Sequence, residues 1–241
     1  MTIYYKTQGF VFKKEDINES DRIFSVFTSD FGRLDIFAKA IRKSVSKLRS
    51  GIDTFLISDI EFVQGKNKKT LTDAAIVNKF CNLPLNPERF RIANAIGGTL
   101  NKLLRGQEKD QNIFNLLDEV FNKLNSQKLK IQGLELLYYY FLWNFLALLG
   151  YKPEIYRCNA CHDKLNPYNI HFSCKSGGVL CKKCQINDFS STKINSDIVK
   201  ILRLILKKDW QTIERLKIAS ASRELLKEIS NNYYLYTMPS H

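Results

Sequence analysis

"IDTFLISDIEFVQGKNKKTLTDAAIV", residues Ile52–Val77, reads as two strands joined by a tight polar loop. In its first half Phe55, Ile57 and Val63 face one way, and Leu56, Ile60 and Phe62 the other. That two-residue period is the mark of a strand. The loop "GKNKK" then reverses the chain into "TLTDAAIV", a hairpin signal. Working back toward the start, "YKTQGFVFKK" and "DRIFSVFTSD" are two more strands across the polar link "EDINES". A turn at Asp30-Phe31-Gly32 leads into "RLDIFAKA", where Leu34, Ile36 and Ala38 alternate with Arg33, Asp35, Phe37 and Lys39. Five short strands within residues 1–80 suit a small barrel of the OB or SH3-like type.

Beyond "NLPLNP" the period turns helical, and Pro87 suits a first helical turn. Phe90, Ala93, Ile96, Leu100 and Leu103 recur at spacings of three and four. Ile113 to Leu124 predicts a second helix and Leu129 to Leu149 a third. Gly150 and Pro153 are its stop signals. "SDIVKILRLILKKDW" and "TIERLKIASASRELLKEIS" predict two more, with Ser196 as a cap. The apolar run Leu134–Gly150 is short for a membrane span and carries Glu135 and Asn144, so it reads as a buried core helix. The opening "MTIYYKTQGF" lacks the basic and apolar regions of a signal peptide, which points to the cytoplasm.

Five of the six cysteines fall between positions 158 and 184, a pattern that favours metal binding in a reducing compartment over disulfides. Cys158-x2-Cys161 and Cys181-x2-Cys184 stand nineteen residues apart, the spacing of two knuckles that place four thiolates around one Zn²⁺. "NIHFSCKSGGVL" between them reads as a hairpin turning at Gly177-Gly178. Cys174, His171 and His162 compete as ligands, with Cys174 the spare thiol. A closed four-cysteine site leaves no open position for catalysis, so the metal is expected to be structural.

The formal charge is +13, and the excess is spread along the whole chain. One cluster stands out: "AKAIRKSVSKLRSG" (Ala38–Gly51) holds five cations from Lys39 to Arg49 and no carboxylate. Ile41, Val45 and Leu48 stand at the spacing of an amphipathic helix or turn. Three readings compete: a solvated loop between barrel strands, a membrane-surface helix, and a nucleic-acid contact. The third puts Lys39, Arg42, Lys43, Lys47 and Arg49 on phosphates, with Phe12, Phe24 and Phe37 as nearby rings. Five single-strand phosphate contacts give a salt slope of about −3.5.

Catalytic motifs are absent: no P-loop, no GxGxxG, no HExxH, and no HxE of a zinc deaminase. "DFG" lacks its kinase companions. The chain is therefore expected not to be an enzyme.

Taken in order, these pieces resemble the RecO family, the bacterial recombination mediators. Glu19, Asp21, Arg22, Thr28, Gly32, Lys39, Arg42 and Leu48-Arg49 match its opening pattern. "LLGYKPEIYRCNAC" and "FSCKSGGVLCKKC" match its helix end and its two knuckles. Two departures stand where the family usually has glycine: Ala40 after "AK", and His162 after the first knuckle. Some members lack the cysteines, which fits a structural metal.

The resemblance implies an N-terminal OB-fold over residues 1–80 and an all-α domain over 81–241, with a four-cysteine zinc module inserted at about 155–188. It implies DNA contacts from Arg22, Arg33, Lys39, Arg42, Lys43, Lys47 and Arg49 on the barrel. The helical domain would dock the acidic, apolar tail of the single-stranded-DNA-binding protein, with Arg203 and Arg215 as candidate contacts. Implied partners are single- and double-stranded DNA, RecR and often RecF, in a nucleoid-associated protein that lets RecA load. The rival reading is an OB-plus-zinc RNA-binding or ribosome-associated factor.

Overall fold

The computed structural model describes residues 3–238, apart from the side chains of residues 131 and 132. The chain divides into two compact units, one reaching to Leu129 and one starting at Lys130. In the first, β1 (Tyr4–Asp16), β2 (Arg22–Thr28), β3 (Gly32–Ala38), β4 (Leu56–Gln64) and β5 (Lys69–Lys79) close a barrel in the order β1-β2-β3-β5-β4. All pairings are antiparallel except β3 with β5. That order and closure are those of an OB barrel, with no free sheet edge.

Each strand sends one face inward. Val11, Phe24, Val26, Leu34, Ile36, Ile60, Phe62 and Leu71 fill the interior. The opposite face explains the residues of β4 that looked apolar on both sides. Two helices follow the barrel in the same unit, α1 (Pro87–Leu103) and α2 (Gln111–Asn125). Phe121 of α2 packs on Phe10, Phe55 and Phe80 at ring distances of 4.5, 5.7 and 5.4 Å. Phe55 also meets Phe90 of α1. The first unit therefore extends past the last strand to include both helices.

Their ends are closed by side chains. Asn86 accepts the Glu88 and Arg89 amides at the start of α1, with Pro87 in the first turn. Arg89 is buried and donates to the carbonyls of Leu124 and Leu129, beyond the end of α2's regular bonding. A helix end left without partners would expose four carbonyls to an apolar surround.

The second unit is built on α3 (Ile131–Leu148). Its apolar run is core, and among the described residues no helix is long and apolar enough to cross a membrane. Asn144 inside that run donates to the Tyr140 and Ile205 carbonyls at 2.8 and 3.0 Å, which satisfies a buried amide. Trp143 donates to Ser230 at 2.9 Å and stacks on Tyr233 at 5.1 Å.

Around α3 lie a three-stranded sheet, β7-β6-β8, and four further helices. The strands are β6 (Ile170–Ser173), β7 (Gly178–Cys181) and β8 (Thr192–Ile194). The helices are α4 (Lys182–Gln185), α5 (Ser196–Leu206), α6 (Trp210–Ile213) and α7 (Ser220–Thr237).

Three local expectations change. Asn195, not Ser196, caps α5, its side chain accepting the Ile198 amide at 3.0 Å. The predicted helix through Trp210 stops at Leu206, because Lys208 turns left-handed at φ +58°. The last predicted helix starts only at Ser220. The hairpin between the knuckles has the register Ile170↔Cys181 to Ser173↔Gly178, and gains β8 as a third strand.

Candidate nucleic-acid interface and metal centre

The basic stretch is the connection from β3 to β4, and it is not a helix beyond one 3-10 turn at Lys47–Ser50. Its apolar residues divide the work. Ile41 is buried in the barrel core, Leu48 packs against that core, and Val45 between them is 84% exposed. Ile41 and Leu48 staple an arc whose crest is solvent. Gly51 closes it: a Cβ there would lie 1.8 Å from the Ala74 carbonyl oxygen of β5.

The acidic link before β2 holds the arc's first residues. The Asp21 carboxylate accepts the Ala40 amide at 2.7 Å, and the Ser20 carbonyl accepts the Arg42 amide at 3.0 Å. Arg42 donates to the Asn18 carbonyl at 2.8 Å and stands 3.5 Å from Asp16. Asp16 also takes Arg22 at 2.6 Å. The Arg22 guanidinium holds the Asp16 carboxyl below its ordinary range, and the Ala40 amide does the same for Asp21.

The seven barrel cations thus fall into two groups. Arg22 and Arg42 brace the link. Arg33 donates to the Asn101 and Leu104 carbonyls, each at 2.9 Å, and so closes the C-terminus of α1. Its place in the fold gives it a structural task that sequence reasoning did not foresee. Lys39, Lys43, Lys47 and Arg49 are exposed, with no ion pair among the described residues.

Of the three candidate rings, Phe12 and Phe24 are buried, while Phe37 is half-exposed on β3. The Lys68 ammonium sits 3.6 Å from the centre of the Phe37 ring, a cation–π contact. The parallel pairing Ile36↔Lys69 and Phe37↔Thr70 brings the β4–β5 loop to this end of β3. Lys68 and Lys69 are thereby brought to the end of β3 that leads into Lys39. The sequence marked "GKNKK" only as a turn; the signal that was available is its density of lysine. Exposed cations along a barrel suit a single strand, whose phosphates they neutralise, while one face of Phe37 is covered by Lys68.

In the second unit the four sulfurs of Cys158, Cys161, Cys181 and Cys184 all lie within 4.8 Å of one another. Cys161 and Cys181 are 3.8 Å apart. Four thiolates on a tetrahedron about 2.3 Å from a Zn²⁺ have edges of about 3.8 Å, so the donors fit a closed site. His162, His171 and Cys174 lie outside the cluster.

The knuckle is tied by backbone: the His162 amide donates to the Cys158 carbonyl at 2.8 Å, with His162 left-handed at φ +62°. The Cys181 amide donates to the Cys158 sulfur at 3.4 Å. Burial pushes the Cys158 thiol up, but amides of Cys161, Cys181 and Ala160 outweigh it and bring the group to about 6. Cys184 shares a thiol hydrogen bond with Cys161 and is pushed up to about 12. Thiolates, not thiols, bind a cation, so a metal seated among these four sulfurs would displace their protons.

A third feature is a cavity of about 390 Å³ in the second unit, lined by Lys152, Pro153, Ile155, Tyr156, Leu206 and Lys207. Glu154 lines it too, with its carboxylate turned onto the Tyr156 and Arg157 amides. Arg203 donates to the Ile155 carbonyl at 2.8 Å and lies over the Tyr156 ring at 4.7 Å. It shapes this wall. Arg215 is exposed and is not among the lining residues.

Comparison with known proteins adds to this geometry. Residues 1–80 match the family described as Recombination protein O N terminal, and residues 84–240 that described as Recombination protein O C terminal. A DNA repair protein RecO of Dehalococcoides mccartyi is 32% identical over 225 residues, covering 93% of this chain and 86% of that protein. One from Caldanaerobacter subterraneus subsp. tengcongensis is 26% identical over 230 residues, covering 95% and 91%. One from Halalkalibacterium halodurans is 26% identical over 234 residues, covering 96% and 89%.

Proposed function

This chain belongs to the RecO family of DNA repair proteins, and from that premise we propose that it is a recombination mediator acting without catalysis. It binds single- and double-stranded DNA, anneals complementary strands, and with RecR, and RecF where present, lets RecA replace the single-stranded-DNA-binding protein. The observation that carries the reading is the arc of Lys39, Lys43, Lys47 and Arg49, exposed and in no ion pair among the described residues. Bringing two strands together is slow because phosphates repel, and cations held on a rigid barrel reduce that repulsion.

The four cysteines hold Zn²⁺, which supplies a fixed tetrahedral crosslink and no chemistry on substrate. The cavity beside α5 receives the acidic, apolar tail of the single-stranded-DNA-binding protein. Lys152 and Lys207 meet carboxylates there, and Tyr156, Pro153 and Leu206 meet apolar side chains. Arg203 positions Tyr156 for this and Arg215 is dispensable.

The test is annealing of complementary strands coated with the cognate single-stranded-DNA-binding protein, with no nucleotide present. The proposal expects annealing by the wild type and its loss in a variant with Lys39, Lys43, Lys47 and Arg49 all changed to Ala. No annealing by the wild type, with equal or tighter binding to RNA, overturns it in favour of an RNA-binding factor.

A further inference from the structure

The metal module has a surface that its structural task does not explain. From position 155 to 188 the chain carries five cations and two carboxylates, Asp163 and Asp188, and Asp188 is tied to Ser173 at the far end of β6. Four of the cations sit on the two knuckles: Arg157 and Lys164 face each other across an isolated bridge in the first, and Lys182 and Lys183 follow Cys181 in the second. All four are exposed, and among the described residues none is in an ion pair. The knuckles converge on the sulfur cluster, so these charges are grouped around one point.

An open ring belongs to the same end of the module. Tyr168 is 85% exposed and stands two residues before Ile170, the register partner of Cys181. Tyr168 follows Lys164 by four residues, and its exposed ring is open to stacking by a flat group. Phe189, 90% exposed, belongs to the other end of β6, where its neighbour Asp188 accepts a hydrogen bond from Ser173. Phe189 therefore serves as an internal control.

We infer that Arg157, Lys164, Lys182, Lys183 and Tyr168 form a second contact for single-stranded nucleic acid, separate from the barrel. Charge complementarity selects a polyanion, and the exposed ring selects one with unstacked bases. One chain then has two places to hold strands, one in each unit.

The test uses the full metal-loaded chain and an oligothymidylate carrying 5-iododeoxyuridine, crosslinked by light and mapped by mass spectrometry. An adduct on Tyr168 is expected, and it should persist when Lys39, Lys43, Lys47 and Arg49 of the barrel are changed to Ala. Adducts confined to the barrel overturn this inference and leave the barrel reading intact; no adduct anywhere, with no measurable binding, overturns both.

Binding titrations give a second readout in the barrel variant, where the module is the remaining contact. There Lys182→Ala with Lys183→Ala should make the salt slope shallower by about 1.4. Tyr168→Ala should weaken binding about tenfold, and Phe189→Ala should leave it unchanged. If the lysine pair alters only metal retention and not strand binding, those cations serve the thiolates and the inference fails.

Discussion

The Asp21 carboxylate accepts the Ala40 amide at 2.7 Å, and Ala40 stands in the left-handed region at φ +54°. An aspartate from the link before β2 thus fixes the backbone where the basic arc begins, at a conformation that L residues seldom adopt. Glycine takes it without steric cost. Ala40→Gly is expected to stabilise the barrel by about 0.5–1 kcal/mol, measured by urea unfolding. A loss of stability would mean that the Ala40 methyl packs more usefully than the backbone strain costs.

Asp21 also sets a pH dependence. Its carboxyl is lowered chiefly by the Ala40 amide, so its contribution is fully present above the ordinary aspartate value of about 3.9. It is lost only as pH falls through the lowered value. Arc-dependent strand binding should therefore show no titration of Asp21 between about pH 5 and 8. Asp21→Asn should bind more weakly than the wild type by the same factor across that whole range. A wild-type profile that falls through pH 6 to 5, and a flat one in Asp21→Asn, would contradict this.

His162 repeats the arrangement in the first knuckle, left-handed at φ +62° with its amide on the Cys158 carbonyl. Its ring is outside the sulfur cluster. His162→Gly should keep a one-to-one metal content and release the metal no faster to a chelator. Faster release would make the imidazole a ligand after all.

Arg33 separates fold from function. Its guanidinium satisfies the last carbonyls of α1, so Arg33→Ala should cost about 1–3 kcal/mol of stability. The salt slope of strand binding should stay at the wild-type value, because this cation is not on a phosphate. A slope shallower by about 0.7 would show that it is.

Chelation is expected to melt β6, β7 and β8 while the barrel stays folded. Cys181 is both one of the four clustered thiols and the register partner of Ile170, so losing a metal held there would free one end of the hairpin. Hydrogen exchange should rise at Ile170–Ser173 and Gly178–Cys181 and remain slow at Val11 and Ile60. Unchanged protection in the module after complete metal removal would refute the structural role.

Much of this was legible in the sequence because local patterns carry it. Alternation marked β3 and β4 and turn signals marked their neighbours, and the two CxxC pairs marked the four thiols that cluster. The two departures from glycine marked Ala40 and His162, two of the four left-handed non-glycine residues among those described, and gave no sign of Phe55 or Lys208. What was hidden depends on chain segments far apart in sequence. Nothing near Arg33 signals that residues 101 and 104 will need a donor. Nothing in "GKNKK" says that a parallel pairing will carry Lys68 onto the Phe37 ring. The spacing of Ile41, Val45 and Leu48 left helix and turn open; the chain takes turns, because Ile41 and Leu48 are held by the barrel interior while Val45 is exposed.

The most direct test of the central claim is the salt dependence of single-strand affinity for the wild type and for the variant lacking Lys39, Lys43, Lys47 and Arg49. Four phosphate contacts correspond to a slope difference of about 2.8, or about 50-fold in affinity lost between 50 and 200 mM salt. The account predicts that the variant's slope is shallower by that amount, with its stability unchanged. Equal slopes in the two proteins would contradict it, and would place the strand somewhere other than the arc.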